Sequence, residues 1–258
     1  MTYMAVDDLG SLLAGLPVRV ESCNIAITQP TIKEICAFGE EQFFSSVMLL
    51  TNIQRVLGTV LEDVPKLAEI PDFQMLVLVM DQDPSLKRSI DDFLTLILPE
   101  YEYELGGAIM RWRLRNGDRQ FVGQVDPLTF PDFQQALSSA FIPADMREAE
   151  DYRPANDLAA EIAAKLHKGN EIRAQIAKDN GPKSLCAHYV SVLEIGVPLS
   201  VTTLYDYTLF QLYDAYDRYI AKMRYDMWYR IATMPMMDSS KMEEPEHWML
   251  DLYKEKRR

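Results

Sequence analysis

The feature that most constrains this chain is residues 200–234, a stretch without glycine or proline. Its apolar and aromatic residues recur at steps of three and four, and they include Leu209, Tyr216, Met223 and Ile231. This spacing places them on one side of an α-helix, and Thr203 with Asp206 resembles a capping box at the start of that helix. We predict one continuous helix of about 29 residues that is roughly 43 Å long.

This predicted helix carries more aromatic side chains than one intramolecular groove can cover. Tyr and Trp are enriched at protein interfaces, and Met supplies adaptable apolar contacts. Two interpretations stay open, namely packing against this chain's own helices and a surface for another polypeptide. The candidate partner interface consists of Tyr205, Phe210, Tyr213, Tyr216, Tyr219, Met223, Met227, Trp228 and Trp248.

The first half of the chain mixes helical and alternating patterns. Thr31 and Glu34 have capping-box spacing, and they open an apolar stripe that favours a helix bent at Gly39. Residues 101–125 alternate instead, which is typical of strands. We therefore predict an α+β protein that is mainly α, with a small antiparallel β-meander.

A two-residue turn is predicted between the last two strands of the meander. Asn116-Gly117 favours a type I′ turn, because both central residues of that turn need positive φ. The resulting register pairs Trp112 with Phe121 on one face of the sheet.

The chain is predicted to have two regions joined by a linker. Residues 143–154 are charged, include two prolines and lack periodicity, so they are the candidate linker. Residues 1–142 form the α+β region with the hairpin, and residues 155–258 form a helical C-terminal region built on the long helix.

Charge and cysteine content restrict the compartment and the partners. The net charge of −13 argues against a protein that coats nucleic acid. Cys23, Cys36 and Cys186 are odd in number and lack CxxC spacing, which favours a reducing compartment. The acidic start resembles no signal peptide, and the longest apolar run is too short for a membrane span.

Motifs that carry chemistry are missing from the sequence. It has three scattered histidines, no phosphate-binding glycine loop and no nucleophile motif. Glu40–Glu41 are adjacent, so on a helix they point about 100° apart and are predicted to form a solvated face. Arg111, Arg113, Arg115 and Arg119 form a basic patch near Trp112 and Phe121 that leaves nucleic-acid binding as a minor interpretation. We predict no catalytic site, no cofactor and no metal.

Two segments resemble a known group of proteins. Residues 27–51, and residues 199–234 followed by EHWM at 246–249, resemble uncharacterised tail-morphogenesis proteins of phages and prophages of Gram-positive bacteria. That group includes proteins of tail-assembly-chaperone type, and the resemblance covers about a quarter of the chain. It implies a non-enzymatic helper that binds tail proteins such as the tape measure protein, and it transfers no active-site residues.

These observations together predict a protein-binding factor that shields a hydrophobic helical partner during bacteriophage tail assembly. A structural virion subunit at the tail or head–tail connector is one alternative, and a nucleic-acid-binding or enzymatic accessory protein is another. The expected location is the bacterial host cytoplasm, with the virion as the alternative. No nucleic-acid or membrane partner is expected, and a homo-oligomer stays open.

Overall fold

Helices alternate with two small sheets along the described part of the chain. The computed structural model describes residues 6–58, 70–107, 109–117, 120–142 and 184–234, together with Pro245, His247 and Met249. Within them, a two-stranded and a three-stranded antiparallel sheet accompany the helices, so the predicted α+β class is confirmed. The predicted linker, residues 143–154, lies outside the described residues, so the division of the chain into two regions stays a prediction.

A helix and a short hairpin open the chain. Helix α1 spans Val6–Leu13, and strands β1 (Val18–Val20) and β2 (Ile25–Ile27) pair antiparallel across a 3-10 turn at Glu21–Cys23. Asn24 takes the left-handed conformation at the end of that turn, with a φ of 51°. Asparagine tolerates this conformation better than most residues, so the two strands can be joined tightly.

Three helices follow where one bent helix is predicted. They are α2 (Ile32–Phe38), α3 (Glu40–Thr51) and α4 (Ile53–Gly58). The capping box between Thr31 and Glu34 is confirmed. Gly39 has a φ of 108°, which ends α2 and begins α3, so the glycine breaks the helix instead of bending it.

The middle of the chain contains two helices, the meander and a further helix. The elements are α5 (Asp72–Gln82), α6 (Pro84–Ile97), β3 (Tyr101–Gly106), β4 (Ile109–Leu114), β5 (Phe121–Val125) and α7 (Phe130–Phe141). The strands are ordered β3-β4-β5. Phe43 of α3 packs edge-on against Phe93 of α6 and Phe141 of α7, with 5.4 Å between ring centroids in each pair. These rings join the three helices around one core.

The register of the meander differs from the predicted one. Trp112 lies opposite Gly123, and Phe121 lies opposite Arg113 across a register shift. Gly117 does not have positive φ, so the predicted type I′ turn is wrong, whereas Gly107 between β3 and β4 has a φ of 63°. Trp112 is consequently buried while Phe121 is exposed on the other side of the sheet.

The long predicted helix is divided in two. Helix α8 spans Leu185–Gly196, a short helix α9 spans Val201–Tyr205, and α10 spans Leu209–Ala232 with 24 residues. The predicted cap at Thr203 is wrong, because Thr208 forms the capping box of α10 with Gln211. The break coincides with a tertiary contact, since the backbone N–H of Ile32 donates to the carbonyl of Tyr207 at 2.8 Å.

Glu40 fixes the beginning of α8 from a distant part of the chain. Its carboxylate accepts hydrogen bonds from the Ser184 hydroxyl at 2.6 Å and from the backbone N–H of Cys186 at 3.2 Å. A carboxylate at this position also interacts favourably with the positive end of the helix dipole. The prediction that Glu40 belongs to a solvated face is therefore wrong, and this cap connects α3 to the helix that packs beside α10.

Candidate partner-binding surface

The proximal half of α10 is part of the chain's own core. Phe210 is 4% exposed and Tyr213 is 6% exposed. Tyr189 of α8 packs edge-on against the rings of Tyr213 and Tyr216, with centroid distances of 5.2 and 4.4 Å. The assignment of Phe210 and Tyr213 to a partner interface is wrong, because elements of the same chain cover both rings.

Three other predicted interface residues are half-buried at the edge of this core. They are Tyr205, Tyr216 and Tyr219. Burial raises the pKa of Tyr205, so its hydroxyl stays protonated beyond the usual range. A Cβ atom on Gly196 would lie 2.1 Å from the Tyr219 ring, so the end of α8 can contact Tyr219 because it has no side chain there.

The distal half of α10 presents methionines to solvent. Met223 is 49% exposed, and Met227, four residues further on, is 61% exposed. Residues four apart lie on the same side of a helix, so both side chains belong to one surface, which we call the methionine face. These two predicted interface residues are therefore exposed to solvent in the structure.

Trp228 lies on another side of the distal half. Its ring is 6.0 Å from that of Tyr225, and the ring of His247 packs against Tyr225 at 4.7 Å. Trp228 is half-buried, so it is separate from the methionine face. Trp248, the last predicted interface residue, lies outside the described residues.

An open groove of about 670 Å³ begins at the methionine face and continues along α10. One wall is formed by helix positions from Gln211 to Met223, which span about 18 Å at 1.5 Å per residue. The opposite wall is formed by Leu13 at the end of α1 and by Val197 and Pro198 after α8. The groove thus brings together three parts of the chain.

Charged side chains also line this groove. Arg218 bonds to the carboxylate of Asp214 at 3.0 Å, and the Asp214 side chain is mostly buried. Lys222 lines the groove further along and forms an exposed ion pair of 2.7 Å with Asp226. Exposed pairs of this kind contribute little stability, so Lys222 can exchange its partner at small cost.

Sequence reasoning missed the wall opposite α10. Gly196, Val197 and Pro198 belong to this wall, and Ile195, the residue before Gly196, is 86% exposed. Leu13 is far from residues 209–232 in sequence, and no local pattern connects it or Pro198 to them. The only signal in the sequence was an apolar segment around Gly196-Val197-Pro198 that follows a helix.

The cysteines and histidines within the described ranges do not converge on one site. The described residues contain no group of three or more side chains able to hold a metal. Cys23 and Cys186 are buried and Cys36 is exposed, all as free thiols. Burial, with a smaller effect of Glu40, raises the pKa of Cys186 to about 12, which disfavours the nucleophilic thiolate.

Three of the four hairpin arginines are engaged within the sheet, and Arg119 lies outside the described residues. Arg113 bonds to Glu102 on the neighbouring strand at 3.3 Å, and Arg115 donates to the carbonyl of Tyr101 at 3.3 Å. The guanidinium of Arg111 lies 5.6 Å from the centroid of Phe121. Tyr103, on the other face, donates a hydrogen bond to Asp91, and burial raises its pKa. These contacts account for the basic-aromatic pattern through pairing within the chain.

Comparison with known proteins finds no relative of this chain. No family model matches it, and neither search, of curated proteins or of solved structures, returns a match. Among the described helices, none combines the length and the apolar character required to cross a membrane.

Proposed function

We propose that this protein is a non-enzymatic binding factor of bacteriophage tail assembly that shields a hydrophobic helical partner such as the tape measure protein. The observation that carries the proposal is the exposure of Met223 and Met227 on a helix whose other end is fixed in the core. A rigid helix with exposed methionines provides apolar area without needing to be ordered by the partner.

The driving force would be burial of this apolar area. Transfer of apolar surface out of water contributes about 25 cal/mol per Å², although association costs consume much of it. Methionine adapts to differently shaped apolar surfaces because its side chain is unbranched and polarizable. A surface of this kind suits a partner that must be held temporarily and then released.

The connection to tail assembly depends on the resemblance of two segments. In the fold, residues 27–51 contain α2 and α3, and residues 199–234 contain α9 and α10. The two segments touch through the hydrogen bond from Ile32 to Tyr207 and through an isolated β-bridge between Thr31 and Thr208. The resembling parts therefore form one connected unit, which supports a common role for them.

A co-purification experiment in phage-infected host cells tests the proposal. Tagged full-length protein is expected to retain a tail protein, identified by mass spectrometry, and Met223→Glu with Met227→Glu is expected to abolish the retention. Leu78→Glu on α5 is the matched control, since Leu78 is about as exposed as Met223. Recovery of no tail protein, or equal recovery by both variants, contradicts the proposal.

The location of the protein separates a chaperone from a structural subunit. A chaperone is released before assembly is complete, so purified virions are expected to lack the protein while the host cytoplasm contains it. Mass spectrometry of purified particles makes this comparison. A fixed stoichiometry in the virion would replace the chaperone proposal with a structural subunit.

A further inference from the structure

The groove has the shape of a site for a helix. Its wall on α10 consists of positions such as Gln211, Ala215, Arg218 and Met223, which follow one another at steps of three to five. The length of about 18 Å corresponds to roughly three helical turns. Amphipathic helices bind in apolar grooves of this kind through residues spaced three and four apart.

The charges around the groove differ in sign from the protein as a whole. The charged residues that line it are Asp214, Arg218 and Lys222, which sum to +1, whereas the whole chain has a net charge of −13. Lys222 is exposed, and so is its ion pair with Asp226, so its ammonium group can turn to a new carboxylate. The lining of the groove is therefore slightly basic in an acidic protein.

We propose that the groove binds an amphipathic helix with an apolar stripe bordered by acidic residues. The apolar stripe would lie against Leu13, Val197, Pro198 and Met223, and the acidic border would face Lys222. This inference extends the proposed function, since it names where the partner binds and what its chemistry is. Charge complementarity accelerates association and selects the partner, while the apolar contacts hold it.

Two synthetic peptides distinguish this site from general attraction to an acidic protein. Both have the same leucine stripe over about three turns, and one is bordered by Glu and the other by Lys. They are added to full-length protein labelled with ¹³C at the methionine methyl groups, with the Met223 resonance assigned through Met223→Leu. The Glu-bordered peptide is expected to shift Met223 at a concentration about tenfold lower than the Lys-bordered peptide, and Met48 on α3 is expected not to move.

A matched pair of charge reversals tests the electrostatic part. Lys222→Glu is expected to weaken binding of the Glu-bordered peptide about tenfold, whereas Lys33→Glu, an exposed lysine on α2, changes the net charge equally and is expected to leave binding unchanged. Circular dichroism of both variants confirms that they fold.

Several outcomes overturn the inference. These are stronger binding of the Lys-bordered peptide, no shift at Met223 with either peptide, and equal effects of the two charge reversals. A Met223 shift that follows protein concentration without peptide would assign the groove to a second copy. A shift caused by Trp248→Ala alone would assign it to the chain's own C-terminal segment. If the protein binds the Glu-bordered peptide but retains no tail protein from infected cells, the groove is a helix-binding site and only the proposed function is contradicted.

Discussion

The two halves of α10 have similar side chains and opposite surroundings. Phe210 and Tyr213 in the proximal half are covered by other parts of the chain, while Met223 and Met227 in the distal half are open to solvent. The proximal half is enclosed because α1, α7 and α8 all contact α10. Aromatic and methionine content therefore identifies a helix with a large apolar surface. The arrangement of the neighbouring helices decides which part of that surface is exposed to solvent.

The largest expected effect is a difference in the free energy of unfolding between a substitution in the proximal half and one in the distal half. Phe210→Ala should lower the free energy of unfolding by about 3–5 kcal/mol, because it empties a packed site. Tyr229→Ala, in the distal half and 57% exposed, should change it by less than about 0.5 kcal/mol. Chemical denaturation measures both values. Similar losses for the two variants would mean that the distal half is as enclosed as the proximal one.

The hydrogen bonds from the start of α8 to Glu40 should stabilise the helix that covers the proximal half of α10. Glu40→Ala removes the acceptor for Ser184 and Cys186 and should cost about 2 kcal/mol. Glu41→Ala, the exposed neighbour, is the control and should change the free energy of unfolding by less than about 0.5 kcal/mol. Equal effects of both substitutions would show that Glu40 does not stabilise α8 as a long-range cap.

The pH dependence of the free energy of unfolding should reveal the burial of the Cys186 thiol in α8, beside the proximal half of α10. The pKa of Cys186 is raised to about 12 in the folded state from an ordinary value of 9.0, so this stabilising contribution is complete below pH 9 and is lost as the pH rises toward 12. Between pH 8 and pH 10, wild type should lose about 1 kcal/mol more than Cys186→Ala.

Cys36→Ala is the control for this titration, because Cys36 is exposed and its pKa is raised less by burial. Its stability should follow the wild-type pH profile closely in urea titrations. A Cys186→Ala variant with the wild-type slope would show that the thiol at this position is accessible to water.

The smallest expected effect concerns methionine oxidation. Mild peroxide should oxidise Met223 and Met227 before Met80 and Met110, because the latter two are buried. The oxidised protein should keep its stability to within about 0.5 kcal/mol. Peptide mapping by mass spectrometry measures the order. Early oxidation of Met80 would contradict the burial pattern on which the comparison depends.

The fold class and several local features could be predicted because they depend on nearby residues. The capping box of Thr31 and Glu34, and the alternating strands from Tyr101 to Val125, follow from spacing alone. The start of α10 could not be predicted. Thr203 and Thr208 offer similar local caps, and the contact of Tyr207 with Ile32 is visible only in the folded chain.

The candidate site could be predicted only in part for the same reason. The helical spacing identified Met223 and Met227, but it also included Phe210 and Tyr213, since periodicity does not reveal what covers a helix. Neither the pairing of Phe121 with Arg113 nor the opposite wall of the groove has a local signature. The first depends on an irregularity in the strand pairing, and the second depends on how α1 and the end of α8 pack against α10.

The most direct test of a partner-binding distal half is site-specific photo-crosslinking in infected host cells. A photo-reactive methionine analogue is introduced at position 227, and in separate proteins at buried position 80 and at exposed position 78. The account predicts a crosslinked adduct with one tail protein from position 227 and none from the other two. The absence of any tail-protein adduct at position 227, or the same adduct from position 78, would contradict it.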